Sequence, residues 1–447
     1  MNISTRTLLV VGLLASLSIL TSARQAAGPL PLLREQARIQ QEWLKSRVEN
    51  VLPGLMRQHG VQMWIISMRE YNEDPVFSSL VSATTFAARR RTILVFFDRG
   101  AKLGLERLAL GGSSQGGIYT AYRDTTLKNA ELWGENQWKT LTKLVRDRDP
   151  KTISVDISQT HAFSDGLSAG EWEQLQKALG PKYLRRVIRA DRLPLDYIAI
   201  RVPEMLPTYR EMMKTAHAII SEAFSSRVIK PGKTTTQDVV WWMRQKVQEL
   251  GLGTWFQPSV DLQRHGRDVS TDPDPVILGG DVLHCDFGLK GMGLNTDTQH
   301  MAYVMREEET DVPSGLRNTL SASNRLQDIV VQSMKVGRTG NEVLALSLKA
   351  MKEAGINGTV YSHPIGEHGH GAGTLIGLWD RQQGVPGRGD VPLLPNTWYS
   401  IELQASSVAP EWGNQVVRSA QEEDVFIDDK GNVNWVLDRQ TEFHLIR

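Results

Sequence analysis

The chain has 447 residues, which is enough for two domains and a large hydrophobic core. Hydrophobic residues make up 40% of it and the formal net charge is +1. Nucleic-acid-binding proteins normally carry a basic excess or stripe, so this balance argues against that class. The single cysteine, Cys285, excludes an intrachain disulfide. Its place in a predicted strand next to Asp286 makes it a core residue on the opposite face rather than a nucleophile.

The first residues have the pattern of an export signal. Arg6 supplies positive charge, an apolar run follows over residues 8–20, and small residues precede a cut near Ala23. We therefore predict a signal peptide over residues 1–23 and an exported protein, periplasmic or extracellular. The alternative is an uncleaved N-terminal anchor, although the run is short and serine-interrupted for a membrane span.

Residues 28–200 mix helical and strand periodicities. Apolar residues recur at helical spacing over residues 33–60, and a further helical segment covers residues 169–179. Short β-rich runs lie at residues 61–67, 92–97, 105–110 and 152–157. Strands that alternate with helices predict an α/β N-terminal domain.

The pattern changes from residue 201. A long helix begins near Pro203, and its stripe of Met and aromatic residues is more typical of a core than of a binding surface. A second helix over residues 236–250 follows a threonine-rich cap. Strands and glycine-rich turns dominate afterwards, so we predict an α+β domain over residues 201–447.

Two aspartates, Asp286 and Asp297, lie on either side of a glycine-rich stretch. If the flanking strands form one hairpin that turns at Gly291 and Met292, the aspartates are directly opposed, with Cβ atoms about 4.5–5.5 Å apart. Two carboxylates there would repel by roughly 3 kcal/mol at an effective dielectric near 20. A cation is therefore expected between them, whereas the alternative is a solvent-facing hairpin end.

Three further metal-ligand candidates follow in chain order. They are His363, Glu402 in an apolar strand over residues 398–403, and Glu422 at the start of an acidic patch. A buried carboxylate needs a partner. Two aspartates, two glutamates and one histidine form an oxygen-rich set that suits hard divalent ions such as manganese, while the imidazole also admits zinc, iron or cobalt.

In this order and spacing, these residues resemble the pita-bread metallopeptidases: methionine aminopeptidase, Xaa-Pro aminopeptidase and prolidase. The resemblance covers about residues 200–435 and includes the motifs at residues 228–234 and 278–282. It implies a creatinase/prolidase-like α/β domain followed by a pita-bread (creatinase/aminopeptidase-like) catalytic domain with two divalent metal ions, manganese first and cobalt, zinc or iron as alternatives. The metal ligands it implies are Asp286, Asp297, His363, Glu402 and Glu422.

The resemblance also implies catalytic residues. His370 is similar to the histidine that contacts the scissile amide or the tetrahedral intermediate, and Glu402 would serve as general base as well as ligand. His265 is the candidate for a second active-site histidine, with a solvated loop histidine as the alternative. Glu422 is preferred over Glu423 as the last ligand because it aligns the following apolar residues with the family's apolar run.

Three flanking positions depart from the family pattern. Residues 298–300 replace the usual arginine after the second aspartate, residues 371–373 replace an acidic flank, and Ala420 replaces a frequent arginine. These positions shape the substrate pocket or surround the metal ligands rather than hold metal, so they affect specificity more than chemistry. Residues 375–379 offer apolar and aromatic surface for a proline ring, or equally a buried core.

The resemblance predicts an exopeptidase that acts on peptides and cleaves Xaa-Pro bonds at N-termini or in dipeptides. A methionine aminopeptidase is disfavoured because that enzyme works on nascent chains in the cytosol. Related enzymes often pair, so a homodimer is expected. The alternatives are a pita-bread enzyme acting on a non-peptide C–N or C–S bond and a degenerate binding protein, which typically loses ligands that this chain retains.

Overall fold

The computed structural model describes residues 28–122 and 134–447, and the predicted signal peptide lies outside these ranges. Two large β-sheets lie on either side of residue 200. Among the described residues, no helix has the length and apolar character needed to cross a membrane.

The first sheet has the strand order β4-β3-β2-β1-β5-β6, with β2 antiparallel to both β1 and β3. Side chains of β1 alternate between two cores, so helices cover both faces of the sheet. The predicted α/β layer is confirmed. Strands β1–β6 are Met63–Met68, Thr92–Asp98, Leu105–Leu110, Thr120–Tyr122, Ile153–Ser154 and Val187–Ile188. Helices α1–α6 are Leu33–Ser46, Leu52–Gln58, Phe77–Leu80, Gly134–Arg148, Ala169–Leu184 and Arg192–Ala199.

The second sheet has the order β12-β14-β15-β11-β8-β7, with β13 beside β14, β16 beside β15 and β17 beside β11. Strands β7–β11 are Ser259–Gln263, Val282–Phe287, Lys290–Gly291, Leu294–Asn295 and Thr298–Val304, of which β9 and β10 pair only with each other as a separate two-stranded sheet. Strands β12–β17 are Asn357–Val360, His363–Pro364, Trp398–Ala409, Gln415–Ile427, Val433–Trp435 and His444–Ile446. Helices α7–α10 are Leu206–Ala223, Thr236–Glu249, Ser314–Ser333 and Gly340–Glu353.

Local signals explain the two helices that open this half. The apolar stripe of α7, including Tyr209 and Met212, is fully buried in a core shared with α8 and β8, as predicted. Helix α8 begins with a capping box, in which the Thr235 side chain accepts from the Asp238 N–H and the Asp238 carboxylate accepts from the Thr235 N–H.

The pairing register between β8 and β11 differs from the predicted register by two residues. The turn of this hairpin lies at Met292 and Gly293, whose φ values of +50° and +74° suit the tight turns that join antiparallel strands. Asp286 therefore pairs with Gln299, and the predicted direct opposition of Asp286 and Asp297 is wrong. Because side chains alternate with a period of two, Asp297 still lies on the same face as Gln299.

Candidate metal centre

Four polar residues lie at one level across four adjacent strands. Glu402 on β14 pairs with Glu422 on β15, Glu422 pairs with Gln299 on β11, and Gln299 pairs with Asp286 on β8. Neighbouring strands are about 4.8 Å apart, so this row spans roughly 14 Å. The sheet register itself brings three of the predicted ligands together.

His363 on β13 completes the cluster with Asp297. Its Nε2 atom is 3.2 Å from Glu422 Oε1, 3.6 Å from Asp297 Oδ2 and 3.8 Å from Glu402 Oε2. Its Nδ1 atom is 3.0 Å from the Pro364 carbonyl oxygen, which can only accept a hydrogen bond. Nδ1 therefore carries a proton, and Nε2 is the ring nitrogen that faces the carboxylates.

The carboxylates outnumber the positive charge available to them. Burial, reinforced by the charge of Glu422, raises the pKa of Asp286 to about 7 and that of Asp297 and Glu402 well above the usual range. Burial opposes protonation of His363, but its hydrogen bond with Glu422 and the charge of that residue outweigh burial and raise its pKa. Four carboxylates and one imidazole therefore share a site that stabilises added positive charge.

Unpaired oxygens point to the same conclusion. Oδ1 of Asp286 and Oδ1 of Asp297 are buried and have no hydrogen-bond partner among the described residues. Buried polar atoms are almost always paired in native proteins. The donor set, rich in carboxylate oxygen with one imidazole, fits divalent metal ions.

Asp424 holds the backbone of Asp297 through a hydrogen bond. Its Oδ2 accepts hydrogen bonds from the Tyr209 hydroxyl at 2.7 Å and from the Asp297 backbone N–H at 3.2 Å. Burial raises the pKa of Asp424 to about 8. The sequence analysis assigned no role to Asp424, although it stands two residues after Glu422 and alternation places both on one face.

Gln299 connects the two glutamates, and sequence reasoning missed it. Its Nε2 donates to Glu402 Oε1 at 2.7 Å and to Glu422 Oε2 at 2.9 Å. Its Oε1 lies 3.0 Å from Nε2 of His284, whose Nδ1 lies 2.9 Å from Asp261 Oδ2. Donation to the two carboxylates fixes the amide orientation of Gln299. Both partners of His284 are then acceptors, so both of its ring nitrogens donate. The available signal was spacing, since His284 and Gln299 lie two residues from Asp286 and Asp297.

The choice between Glu422 and Glu423 follows from the pleat of β15. Glu422 faces the cluster, and the next side chain must face the opposite side of the sheet. The carboxylate of Glu423 there contacts His217 and His300. The structure thus brings Glu422, and not Glu423, to the other four predicted ligands.

Aromatic rings form the rim of the site. The His370 ring lies 4.8 Å from that of His363 and 5.2 Å from that of Trp255, measured between centroids. Its outer edge meets solvent, but partial burial and His363 lower its pKa to about 4, so it is neutral at pH 7 and keeps one N–H to donate. Trp255 packs closely because Gly369 has no side chain, since a Cβ there would lie 2.2 Å from the indole.

The apolar stretch at residues 375–379 is divided between the core and the surface. Leu375 and Ile376 are buried, and Ile376 forms a backbone bridge with Ser362. Trp379 is 42% exposed and packs edge-on against Tyr361, with ring centroids 5.6 Å apart. Tyr361 in turn lies 5.4 Å from the His363 ring, so Trp379 and Tyr361 extend the aromatic rim.

His265 lies away from the cluster. It is exposed and stacks on Trp412, with ring centroids 5.9 Å apart. On β7 it is Ser259 that pairs with Asp286. The strand then runs away from the site to Gln263, roughly 13 Å farther along, and His265 lies in the turn that follows. The structure does not support the catalytic role predicted for His265 and places it as the alternative, a solvated histidine.

Comparison with known proteins identifies this arrangement. Residues 211–429, which include all five predicted ligands, match metallopeptidase family M24. The C-terminal domain of this chain belongs to family M24. M24 membership implies a hydrolase that acts on peptides, and the pita-bread fold predicted for this domain is confirmed. No curated protein sequence matches the chain.

Solved structures share the fold over both domains of this M24 protein. X-Pro aminopeptidase from Thermotoga maritima MSB8 is 17% identical, with a TM-score of 0.60, and the match covers 88% of this chain and 99% of that one. Xaa-Pro dipeptidase from Bacillus anthracis is 16% identical, with a TM-score of 0.57 and coverage of 91% and 100%. Dipeptidase PepE from Mycobacterium ulcerans is 17% identical, with a TM-score of 0.56 and coverage of 92% and 98%. At these identities the likeness establishes the fold.

Proposed function

We propose that this protein is an exported, dinuclear-metal exopeptidase that cleaves Xaa-Pro bonds at peptide N-termini or in dipeptides. One observation carries the proposal: three carboxylates converge on a single imidazole in an M24 domain, and Asp286 lies in the same row of the sheet with an unpaired buried oxygen. Such a set suits a pair of divalent ions held by shared carboxylates.

The five predicted side chains would hold the metal ions. Their hard carboxylate oxygens favour manganese, with cobalt, zinc or iron as alternatives. Bound ions of this kind lower the pKa of a shared water and polarise the scissile carbonyl. Glu402 accepts the proton of the attacking water, and Gln299 holds its carboxylate in place through the 2.7 Å hydrogen bond. Neutral His370 donates its N–H to the oxyanion that develops on the carbonyl oxygen.

The aromatic rim supports selection of proline. An Xaa-Pro amide nitrogen has no hydrogen to donate, so the site must recognise the ring by shape. Tyr361, Trp379 and Trp255 present ring faces and edges around His370, which suit an apolar five-membered ring. Structural neighbours described as acting on Xaa-Pro peptides support this choice.

The position of Arg388 favours dipeptides as substrates. Its side chain is exposed, and although burial chiefly sets the pKa values of His370 and Tyr361, the charge of Arg388 acts on both. A guanidinium whose charge acts on these two rim residues would suit a substrate carboxylate, because it presents paired N–H donors. A dipeptide places its C-terminal carboxylate one residue from the scissile bond, which favours dipeptides within the proposed class.

The peptide test uses purified protein stripped of metal and reloaded with Mn²⁺. Substrates are Xaa-Pro dipeptides, their C-terminal amides, Xaa-Pro-Xaa tripeptides and matched Xaa-Ala peptides. Manganese-dependent cleavage of Xaa-Pro bonds supports the proposal, and loss of rate on amidation identifies a dipeptidase. Inactivity on every peptide would overturn it and favour a non-peptide substrate or a binding protein.

Export and dimer formation are separate parts of the proposal. N-terminal sequencing of protein recovered from a secretion-competent bacterial host should show cleavage near Ala23 if residues 1–23 act as a signal peptide. Light scattering of the purified protein should give a mass near twice that of one chain. An uncleaved N-terminus would favour the anchor alternative.

A further inference from the structure

Three histidines and one glutamate meet on the outer face of β11 and β15. His217 Nε2 lies 3.0 Å from Glu423 Oε2, and His300 Nε2 lies 2.7 Å from Glu423 Oε1. The second nitrogen of His300, Nδ1, lies 3.0 Å from His444 Nε2. None of these four side chains belongs to the metal centre described above, because the pleat turns Glu423 and His300 away from Glu422 and Gln299.

Four elements distant in sequence contribute to this outer cluster: α7 gives His217, β11 gives His300, β15 gives Glu423 and β17 gives His444. His300 and Glu423 are buried, whereas the His217 side chain is 22% exposed. An ion can therefore reach the cluster from solvent along His217. The backbone N–H of Gln440 donates to Glu423 Oε1 at 3.2 Å and helps to hold the carboxylate in this orientation.

We propose that His217, His300 and Glu423 form a second, mononuclear metal site for an ion of the zinc class. Their ligand atoms all lie within 4.8 Å of one another. A tetrahedral ion with bonds of about 2.0–2.2 Å needs ligand atoms about 3.3 Å apart. The two hydrogen-bonded pairs, at 3.0 and 2.7 Å, would have to open slightly, and the other ligand atoms, which lie within 4.8 Å, would have to close toward that distance. Two histidines and one glutamate, with a fourth position for water, form a recognised open zinc site.

His444 supplies the outer partner that a metal-binding histidine requires. If His300 binds through Nε2, its Nδ1–H can donate to His444 Nε2 and so fix the tautomer and the ring orientation. The rings of His300 and His444 have centroids 5.2 Å apart, and the ring centroids of Phe224 and His444 are 6.0 Å apart. This packing limits the freedom of His444 to turn away.

The two sites differ in their preferred ions. The inner site offers four carboxylates and one imidazole, whereas the outer site offers two imidazoles and one carboxylate. Nitrogen-rich sets favour zinc, cobalt or copper over manganese. The outer ion would connect α7 to β11 and β15 directly behind the inner ligands, so it would stabilise the sheet without contacting substrate.

The test counts ions in chelator-stripped protein re-equilibrated with Zn²⁺ and freed of excess ion by gel filtration. We expect one zinc ion fewer per chain in His217→Asn than in wild type, and the wild-type number in His265→Asn. His265 is a matched control because it is an exposed histidine stacked on Trp412, away from both clusters. Equal zinc numbers in wild type and His217→Asn would overturn the proposal and leave a hydrogen-bonded cluster only.

A second measurement uses the wild-type protein and so does not depend on whether a variant folds. Anomalous scattering at the zinc edge from wild-type crystals grown with Zn²⁺ should show a peak between His217 and His300. Zinc at the inner site without a peak at the outer one would overturn the assignment. Because each site is scored separately, an inner site that bound fewer than two ions would count against the proposed function and leave the outer-site result unchanged.

Discussion

Glu402 and Glu422 are direct cross-strand partners on β14 and β15, and the Gln299 amide donates to both. Like charges at opposed positions are destabilising in a sheet. Burial and then the charge of Glu422 raise the pKa of Glu402. In the metal-free protein Glu402 therefore takes up a proton more readily, which limits the repulsion. The pair becomes favourable when a cation lies beside both carboxylates.

Replacement of Asp297 should abolish metal-dependent activity and lower the inner-site metal content. In chelator, however, Asp297→Asn should raise the free energy of unfolding by about 1–3 kcal/mol, because it removes a buried carboxylate that other carboxylates repel. Plasma emission spectrometry and urea unfolding measure the two effects. Unchanged metal content in the folded variant would contradict the ligand assignment.

The pH dependence of stability should depend on metal. In metal-free protein, the pKa of Asp286 is about 7 when folded and near its ordinary value when unfolded, so the folded state binds more protons between these values. Linkage then requires stability to fall as pH rises, by about 2 kcal/mol from this group between pH 5.5 and 7.5. Urea midpoints in chelator measure this fall, which should be smaller in Asp286→Asn.

Manganese-loaded protein should show the opposite trend. Its ligands must be deprotonated to bind, so acidification releases the metal and the stabilisation that it provides. Activity lost at pH 5.5 should return at neutral pH with added Mn²⁺. Retention of all bound metal at the acidic pH that stops activity would contradict this explanation.

His370 and His265 should differ in their effect on catalysis. His370→Ala should lower kcat by about 100-fold or more with bound metal unchanged, because it removes a donor to the oxyanion. His265→Ala should leave kcat within about twofold, because the ring stacks on Trp412 at a distance. Steady-state kinetics on one Xaa-Pro peptide compares the two variants. A large loss of kcat in His265→Ala would contradict the placement of His265 away from the site.

Trp379 should contribute to proline selectivity. We expect Xaa-Pro peptides to be cleaved faster than matched Xaa-Ala peptides, and Trp379→Ala to lower this kcat/KM ratio by about tenfold through loss of apolar contact with the ring. Trp241→Ala is a matched control, since Trp241 is also exposed but lies on α8. Equal turnover of both peptide classes by wild type would refute the preference.

Gln299 should act as a positioning residue for the metal ligands. Gln299→Met keeps the approximate size but removes both amide hydrogen bonds, so Mn²⁺ affinity should fall by about 10- to 100-fold. Activity should recover at saturating Mn²⁺, which a misfolded site would not allow. Isothermal titration with Mn²⁺ measures the affinity directly.

The sequence named the five side chains that converge through its resemblance to a known family, because chain order and spacing match that family's ligand positions without knowledge of the sheet. It was insufficient for the register between β8 and β11. Gly291 and Gly293 both favour a turn, and the structure places Met292 at φ +50°, a conformation that non-glycine residues seldom adopt. The turn position therefore could not be read from residue preferences alone.

Long-range pairing explains the remaining differences. His265 follows Ser259 by six residues, and only the pairing of Ser259 with Asp286 shows that β7 carries His265 away from the site. The partners of Gln299 come from β14 and β15, more than 100 residues later. Trp255 reaches the rim because Gly369 and Gly288 leave space for it, a property that depends on three separate segments.

The pleat of β15 makes metal binding sensitive to folding errors. A one-residue slip between β14 and β15 would turn Glu422 away from Glu402 and expose Glu423 in its place. Only the native register gathers the inner ligands, so an ion in the refolding buffer would stabilise correctly paired strands and no slipped form. Added Mn²⁺ should accordingly raise the yield of refolded, active protein in proportion to its occupancy, rather than merely restore activity afterwards.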